Sequence, residues 1–199
     1  SQDLMDSDMA IDFSSPDSAV DNIHKAFKAN VPIVVGTTGW NKDFDKVKNW
    51  CNEYNGAILP SSNFSLGVNI FFEMNKQLSK IMNRQKSYSA KIRETHHTEK
   101  VDSPSGTAIT TAEIILEEMD HYSNWVSNTS NYGNKLPIIA KRQAGVAGTH
   151  QVIYESNIDE LSISHCAKNR DGFAIGAIIA AEFLYNKKGL FSMKDVVKF

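Results

Sequence analysis

Cysteine is nearly absent: only Cys51 and Cys166 occur among 199 residues. Two distant cysteines build no disulfide framework, and neither sits in a metal-spaced motif. A reducing cytoplasm is the simpler setting. No apolar run approaches transmembrane length, and the longest, around Phe173 to Leu184, is broken by Gly176 and Glu182. No membrane partner is expected. Basic residues form no run and the formal net charge is −2, so nothing global calls for nucleic acid. The opening Ser-Gln-Asp-Leu-Met-Asp-Ser-Asp is polar and acidic. It carries no secretory signal and reads as an incoming loop, not a natural N-terminus. There are no repeats, no low-complexity tracts, and no glycine before Gly36.

What is present suits one large domain or two small ones, with an ordinary apolar fraction of 41% for building a core. Met9 to Phe13 is a short apolar run. Ser15 then offers an N-cap and Pro16 a first helical residue, with Val20, Ile23 and Phe27 at helical spacing. Val31 to Val35 is a second run, closed by Gly36-Thr37-Thr38-Gly39. Asn41 can cap a helix that lines up Phe44, Val47, Cys51 and Tyr54. Ala57 to Leu59 is a third run, followed by Pro60-Ser61-Ser62-Asn63-Phe64-Ser65. Leu66, Ile70, Met74, Leu78 and Ile81 mark a long amphipathic helix. This β-α-β-α-β-α order with continuously apolar strands predicts a parallel sheet covered on both faces. Ligands bind at the carboxyl ends of such strands. Asp12 to Ser15, Gly36 to Gly39 and Ser61 to Phe64 should therefore share one rim.

From Tyr88 the pattern changes. Ala90, Ile92 and Glu94 alternate with Ser89, Lys91 and Arg93, as in a strand with one apolar face. Residues 107–119 read as a helix and His121 to Lys135 as a loop. Leu136 to Ala144, His150 to Ser156 and Glu160 to Ala167 read as strands, with Asn157-Ile158-Asp159 as a hairpin link. Phe173, Ala177, Ala181 and Leu184 lie on a last helix. The expected fold is α/β: a partial doubly wound parallel sheet over residues 1–64, and an α+β mixed-sheet domain over 65–186. The tail, 187–199, is expected to return to the first domain.

The stretch from Arg93 to Ala108 concentrates the chemistry. It holds His96 and His97, Lys100, and the turn Ser103-Pro104-Ser105-Gly106-Thr107, between a strand and a helix N-terminus. Adjacent residues of an extended segment point opposite ways, so the two histidines cannot face one ligand unless the loop bends. No metal is expected, because there is no His at i+4, no nearby Cys, and Glu99 alone is a weak third ligand. Lys100 is either a solvated charge or a neighbour that poises one of the two histidines as a general acid. The Ser-Gly-Thr turn is either an ordinary N-cap or an anion cradle, better suited to a carboxylate than to a triphosphate. The Gly36–Gly39 turn is either a plain strand-to-helix connection or a ligand contact. Arg170 reads as a cap on the last helix.

Glu94-x-His96-His97-x-x-Lys100-x-Asp102-x-Pro104-Ser105-Gly106-Thr107-Ala108 resembles the signature of the dihydrodipicolinate reductase family. Asp12-Phe13-Ser14, Gly36-Thr37-Thr38-Gly39, Asn63-Phe64-Ser65-x-Gly67-Val68-Asn69, His165, Arg170 and Phe173-Ala174 are similar to further elements of it. The resemblance implies a Rossmann-like first domain and a substrate-binding, oligomerising second one. It implies reduction of a small cyclic dicarboxylate by NADH or NADPH in lysine and diaminopimelate biosynthesis, by a homotetramer. It implies His96 and Lys100 as catalytic residues. It gives His97, Ser105, Gly106 and Thr107 as substrate contacts, and Gly36, Thr37, Thr38, Asn63, Phe64 and Ser14 as cofactor contacts.

The family opens with a strand and a Gly-x-x-Gly-x-Met-Gly-type phosphate loop, and neither is found in this sequence. Weak dinucleotide binding and reduced or absent activity of this polypeptide are the expectation. A dicarboxylate-binding module of the same fold without redox turnover is the alternative. A metal-dependent hydrolase using His96 and His97 is disfavoured by their spacing.

Overall fold

A computed structural model of the chain describes residues 4, 6–127 and 133–198. Of the expected opening loop, residues 1–3 and 5 lie outside the described residues. The chain divides into two units, Ser1–Asn69 with Asp171–Phe199, and Ile70–Arg170.

The first unit holds a parallel sheet of β1 (Ala10–Asp12), β2 (Ile33–Val35), β3 (Ala57–Pro60) and β9 (Gly189–Leu190), in that spatial order. Alternate residues serve opposite faces. Ile33, Val35 and Ile58 pack with Ala19, Ile23 and Phe27 of α1 (Pro16–Lys28) and Val47 and Cys51 of α2 (Phe44–Glu53). Val34, Ala57 and Leu59 pack with Ala177, Ala180 and Leu184 of α5 (Asp171–Leu184) and Met193 of α6 (Met193–Val197). Each fully buried aliphatic side chain contributes about 1.5–3 kcal/mol over exposure, so continuous apolar strands are what a doubly covered sheet requires.

Local chemistry sets the helix ends. The Ser15 N–H donates to Ser18 Oγ at 3.2 Å, one arm of a capping box, with Pro16 behind it. Asn30, at φ 56°, ends α1 in the left-handed conformation that asparagine tolerates. Asn41 opens a single 3-10 turn, Asn41–Asp43, ahead of α2 and not α2 itself.

The second unit holds a five-stranded mixed sheet in the order β5 (Asn124–Ser127), β6 (Lys135–Arg142), β4 (Ser89–His96), β7 (Gly148–Glu155), β8 (Glu160–Ala167). β5, β6 and β4 run parallel, while β7 and β8 are antiparallel to their neighbours. Ala108, Ala112 and Ile115 of α4 (Gly106–Glu118), with Phe71 and Met82 of α3 (Leu66–Met82), pack on Ile92, Ile138, Val152 and Tyr154 of one sheet face.

Two expectations change. The stretch His121 to Lys135 is not all loop, since Asn124–Ser127 pairs with β6; residues 128–132 of that stretch lie outside the described residues. Helix α5, assigned from sequence to the second domain, packs on the first sheet, because its small residues fit closely against Leu59 and Phe64. The tail contributes β9 to that sheet.

Candidate active site

Strand β4 sets up the site. Its burial alternates, with Ala90, Ile92, Glu94 and His96 all on the face covered by the helices. Glu94 and His96 are two residues apart and so share that face. Register supplies their neighbours. Glu94 lies opposite His150 of β7, and His96 beside Arg142 of β6. His150 in turn pairs with His165 of β8.

The result is a polar cluster at the end of an apolar core, with Glu94 1%, His96 7% and His150 5% exposed. Glu94 Oε2 stands 3.4 Å from His96 Nδ1 and 3.6 Å from His150 Nε2. Glu94 Oε1 accepts the Ser105 N–H at 3.0 Å and lies 3.8 Å from Arg142 Nη1. The two imidazole rings meet edge to face at 4.9 Å.

The loop after β4 is tied to the same arginine. Arg142 Nε donates to the Lys100 carbonyl at 3.3 Å, and Nη2 to that of Asp102 at 2.5 Å. Lys100 Nζ sits 2.8 Å from Asp102 Oδ1. The Ser103–Pro104 peptide is cis. Ser105 is then the N-cap of α4, its Oγ accepting from the Ala108 N–H at 3.2 Å and lying 3.1 Å from His150 Nε2. Gly106 is exposed, with nothing within 4 Å of where a Cβ would stand. The Ser105 N–H is thus committed to Glu94, which leaves its hydroxyl as the group that can turn to a ligand.

His97 points the other way, as adjacent strand residues must. Its Nε2 lies 3.1 Å from Arg170 Nη2. A guanidinium only donates, so Nε2 is the acceptor and the proton sits on Nδ1. Arg170, read from sequence as a helix cap, is instead a partner of this histidine.

Burial works against ionisation of Glu94, but hydrogen bonding from His150 and Ser105 and the charge of His96 bring its pKa from 4.5 down to about 2. Burial, then His150, lowers His96 from 6.5 to about 4; Glu94 opposes this, and Lys100 and Arg142 reinforce it. At neutral pH the cluster therefore pairs an ionised Glu94 with an uncharged His96. A dicarboxylate anion beside Lys100 would favour the imidazolium. Hydrogen bonding to Lys100 lowers the Asp102 carboxyl.

Glu94, His96 and His150 offer three ligating atoms within 4.8 Å of one another. They form a buried carboxylate–histidine cluster in which Glu94 Oε2 and His96 Nδ1 have no hydrogen-bond partner among the described residues. The guanidinium of Arg142 and the Ser105 amide already compensate the carboxylate.

In the first unit the three strand ends do form one rim. Gly36 N–H donates to the Asp12 carbonyl at 2.8 Å and Ser61 N–H to that of Val35 at 3.0 Å. Thr37 Oγ1 donates to the buried Asp12 Oδ2 at 2.6 Å and accepts the Ser14 N–H at 2.8 Å. Ser14 Oγ and Asn22 Nδ2 donate to Asp12 Oδ1. The hydroxyl of Thr37 thus braces the rim, while Thr38, Gly39 and Ser14 are exposed on it. Asn63 Oδ1 accepts the Ser65 N–H at 2.9 Å and so shapes its own turn. Phe64 is buried, and the exposed Phe13 ring meets it edge-on at 5.8 Å. The Phe13 ring also packs over Gly36, where a Cβ would stand 2.1 Å from its Cε1.

His150 and Arg142 are site residues that sequence reasoning missed. Neither stands in a local motif, and only strand pairing brings them to Glu94 and His96. Asp12 was seen only as part of a strand end.

Comparison with known proteins agrees with this architecture. Residues 1–64 match the family described as dihydrodipicolinate reductase, N-terminus, and residues 67–197 match dihydrodipicolinate reductase, C-terminus. A 4-hydroxy-tetrahydrodipicolinate reductase of Christiangramia forsetii is 50% identical over 190 residues, covering 96% of this chain and 79% of that protein. One of Methanopyrus kandleri is 35% identical over 198 residues, covering 96% and 72%. The dipicolinate-bound dihydrodipicolinate reductase structure from Paenisporosarcina sp. superposes with a TM-score of 0.79 at 21% identity, covering 94% of this chain and 72% of that one. With both halves matched in order and a relative at 50% identity, the chain belongs to the dihydrodipicolinate reductase family.

Proposed function

We propose that this protein is an NAD(P)H-dependent reductase. It converts 4-hydroxy-tetrahydrodipicolinate, which loses its hydroxyl as water to give dihydrodipicolinate, to tetrahydrodipicolinate in lysine and diaminopimelate biosynthesis. Membership of the family supports the reaction. One observation supports the roles: a buried histidine held against a buried carboxylate, next to Lys100 and a helix N-terminal turn. That arrangement favours turnover over simple dicarboxylate binding, because binding alone needs no guarded proton.

Gly36, Thr37, Thr38, Ser14, Asn63 and Phe64 would hold the cofactor in the first unit. When bound, reduced nicotinamide supplies a hydride. The ring that accepts it becomes electron-rich and needs a proton, and His96 supplies that proton. Lys100 offsets the charge of the dicarboxylate. The Ser105 hydroxyl and the Gly106–Thr107 helix end hold a carboxylate, and His97, turned from His96 toward Arg170, joins them only if its loop bends. Water reprotonates His96 after product leaves.

No helix among the described residues is long and apolar enough to cross a membrane. We place the protein in the cytoplasm, as its two unpaired thiols suggest, and as a homotetramer built on the mixed sheet.

His96→Gln tests the reading. In a version that carries the family's phosphate loop, it should lower kcat roughly 10²–10⁴-fold, the usual worth of a general acid, while dicarboxylate affinity stays close to the parent's. Lys100→Ala should weaken both rate and affinity. Unchanged turnover in His96→Gln would refute the acid assignment.

A further inference from the structure

We propose that Glu94 is the positioning residue of this site. Its carboxylate decides which nitrogen of His96 carries the transferable proton, and through His150 it frees the Ser105 hydroxyl to face a ligand. The inference rests on the reading of His96 as the acid.

An ionised carboxylate only accepts hydrogen bonds. Oε2 of Glu94 is near two ring nitrogens at once, His96 Nδ1 at 3.4 Å and His150 Nε2 at 3.6 Å. Oε2 and His96 Nδ1 are both buried with no hydrogen-bond partner among the described residues, so a proton on each facing nitrogen is what would satisfy the carboxylate. For His96 this pins a proton on Nδ1, so the proton that comes and goes rides on Nε2. Space is kept at that atom, since a Cβ on Gly148 would stand 3.1 Å from His96 Nε2. For His150, an N–H on Nε2 also serves Ser105 Oγ, 3.1 Å away. Ser105 Oγ then accepts from His150 and from the Ala108 N–H, and its own hydrogen is left for an outside acceptor. The Ser105 N–H to Oε1 bond locks the carboxylate in place. The two Oε2 contacts are long for hydrogen bonds and would tighten when His96 becomes charged.

The charges around the pair are mixed. Arg142 faces Glu94, Lys100 and His150 face His96 through their charge, and His165 lies across from His150. Without the carboxylate every titratable neighbour of His96 would be cationic or neutral. An imidazolium could then form there only at low pH.

The test is Glu94→Gln, which keeps the shape, removes the charge, and offers an amide N–H that permits the wrong tautomer. In a version that carries the family's phosphate loop, we expect kcat at neutral pH to fall roughly 10²-fold or more, as when a histidine loses its orienting carboxylate. The KM for the dicarboxylate should change only a few-fold, and activity should recover as the pH is lowered. A wild-type kcat and pH profile would overturn the proposal. His96→Gln assayed alongside separates the two ideas. If it is inactive while Glu94→Gln behaves as wild type, only the positioning role fails; if both are fully active, the acid assignment fails too. Should Glu94→Gln not fold, nitrogen-15 spectra of the histidine rings in the unsubstituted, ligand-free protein near neutral pH decide, with His96→Gln for assignment. Nδ1–H on neutral His96 is expected, and Nε2–H there would overturn the proposal.

Discussion

A Cβ built on Gly176 would stand 1.9 Å from the carbonyl oxygen of Phe64. The start of α5 thus lies against the backbone of the turn that follows β3. Ala177, Ala180 and Ala181 continue the close approach along the first sheet. Small residues on this helix are there to bring a backbone near a backbone, and the turn so fixed carries Asn63 and Phe64.

Gly176→Ala is therefore expected to destabilise the first unit by about 3 kcal/mol, the upper end for overpacking, because the obstructing atom is backbone and cannot rotate away. Gly172 on the same helix is the control. A Cβ there meets only Ser65 Oγ at 3.7 Å, an ordinary contact. Gly172→Ala should be neutral or slightly stabilising, since alanine favours the helix by roughly 0.5–1 kcal/mol. Urea denaturation of the two variants checks this. Equal midpoints would contradict the packing.

Acid should weaken the fold through the buried cluster. Glu94 has a folded pKa of about 2 against an ordinary 4.5, and His96 about 4 against 6.5. Both groups bind protons more readily in the unfolded chain, so stability rises with pH across each window. The Glu94 contribution is complete above 4.5 and lost as pH falls toward 2. That of His96 is complete above 6.5 and lost as pH falls toward 4. Each is worth roughly 3 kcal/mol at its limit, and because the groups share one network the sum is smaller than two independent terms. The urea midpoint should decline steadily from neutral pH downward. A midpoint flat between pH 7 and 4 would count against the pKa pattern.

The proposed tetramer makes a hydrodynamic prediction. The helices cover one face of the mixed sheet, while Arg93, Ser162, Ser164 and Cys166 are exposed on the other. β8 is an edge strand with a free row of backbone groups, the kind of edge that proteins pair or cover. Sedimentation velocity at micromolar concentration should find a species about four times the 22.2 kDa chain mass. A stable monomer would refute assembly through this sheet.

Local order told much of this in advance. Val20, Ile23 and Phe27 at helical spacing behind Ser15-Pro16 determine α1, and the alternation of Ala90, Ile92 and Glu94 determines β4. Because alternation also assigns faces, it already places Glu94 with His96 and turns His97 away. Ser105 before Gly106 marks the start of α4. The signature from Glu94 to Ala108 determines the family. Other features depended on the tertiary structure. The pairing of Glu94 with His150 and of His96 with Arg142 is a matter of register between strands distant in sequence, and a slip of one residue would turn each side chain to the other face. Asn124–Ser127 is short and half polar, so only its hydrogen bonds to β6 make it a strand. Helix α5 has apolar residues on every side, with Phe173, Ile175 and Ile178 exposed and Glu182 its one charge beyond the first turn. A helix with no continuous polar face does not declare which sheet it will cover, and the choice fell to the surface that its glycine and alanines could approach.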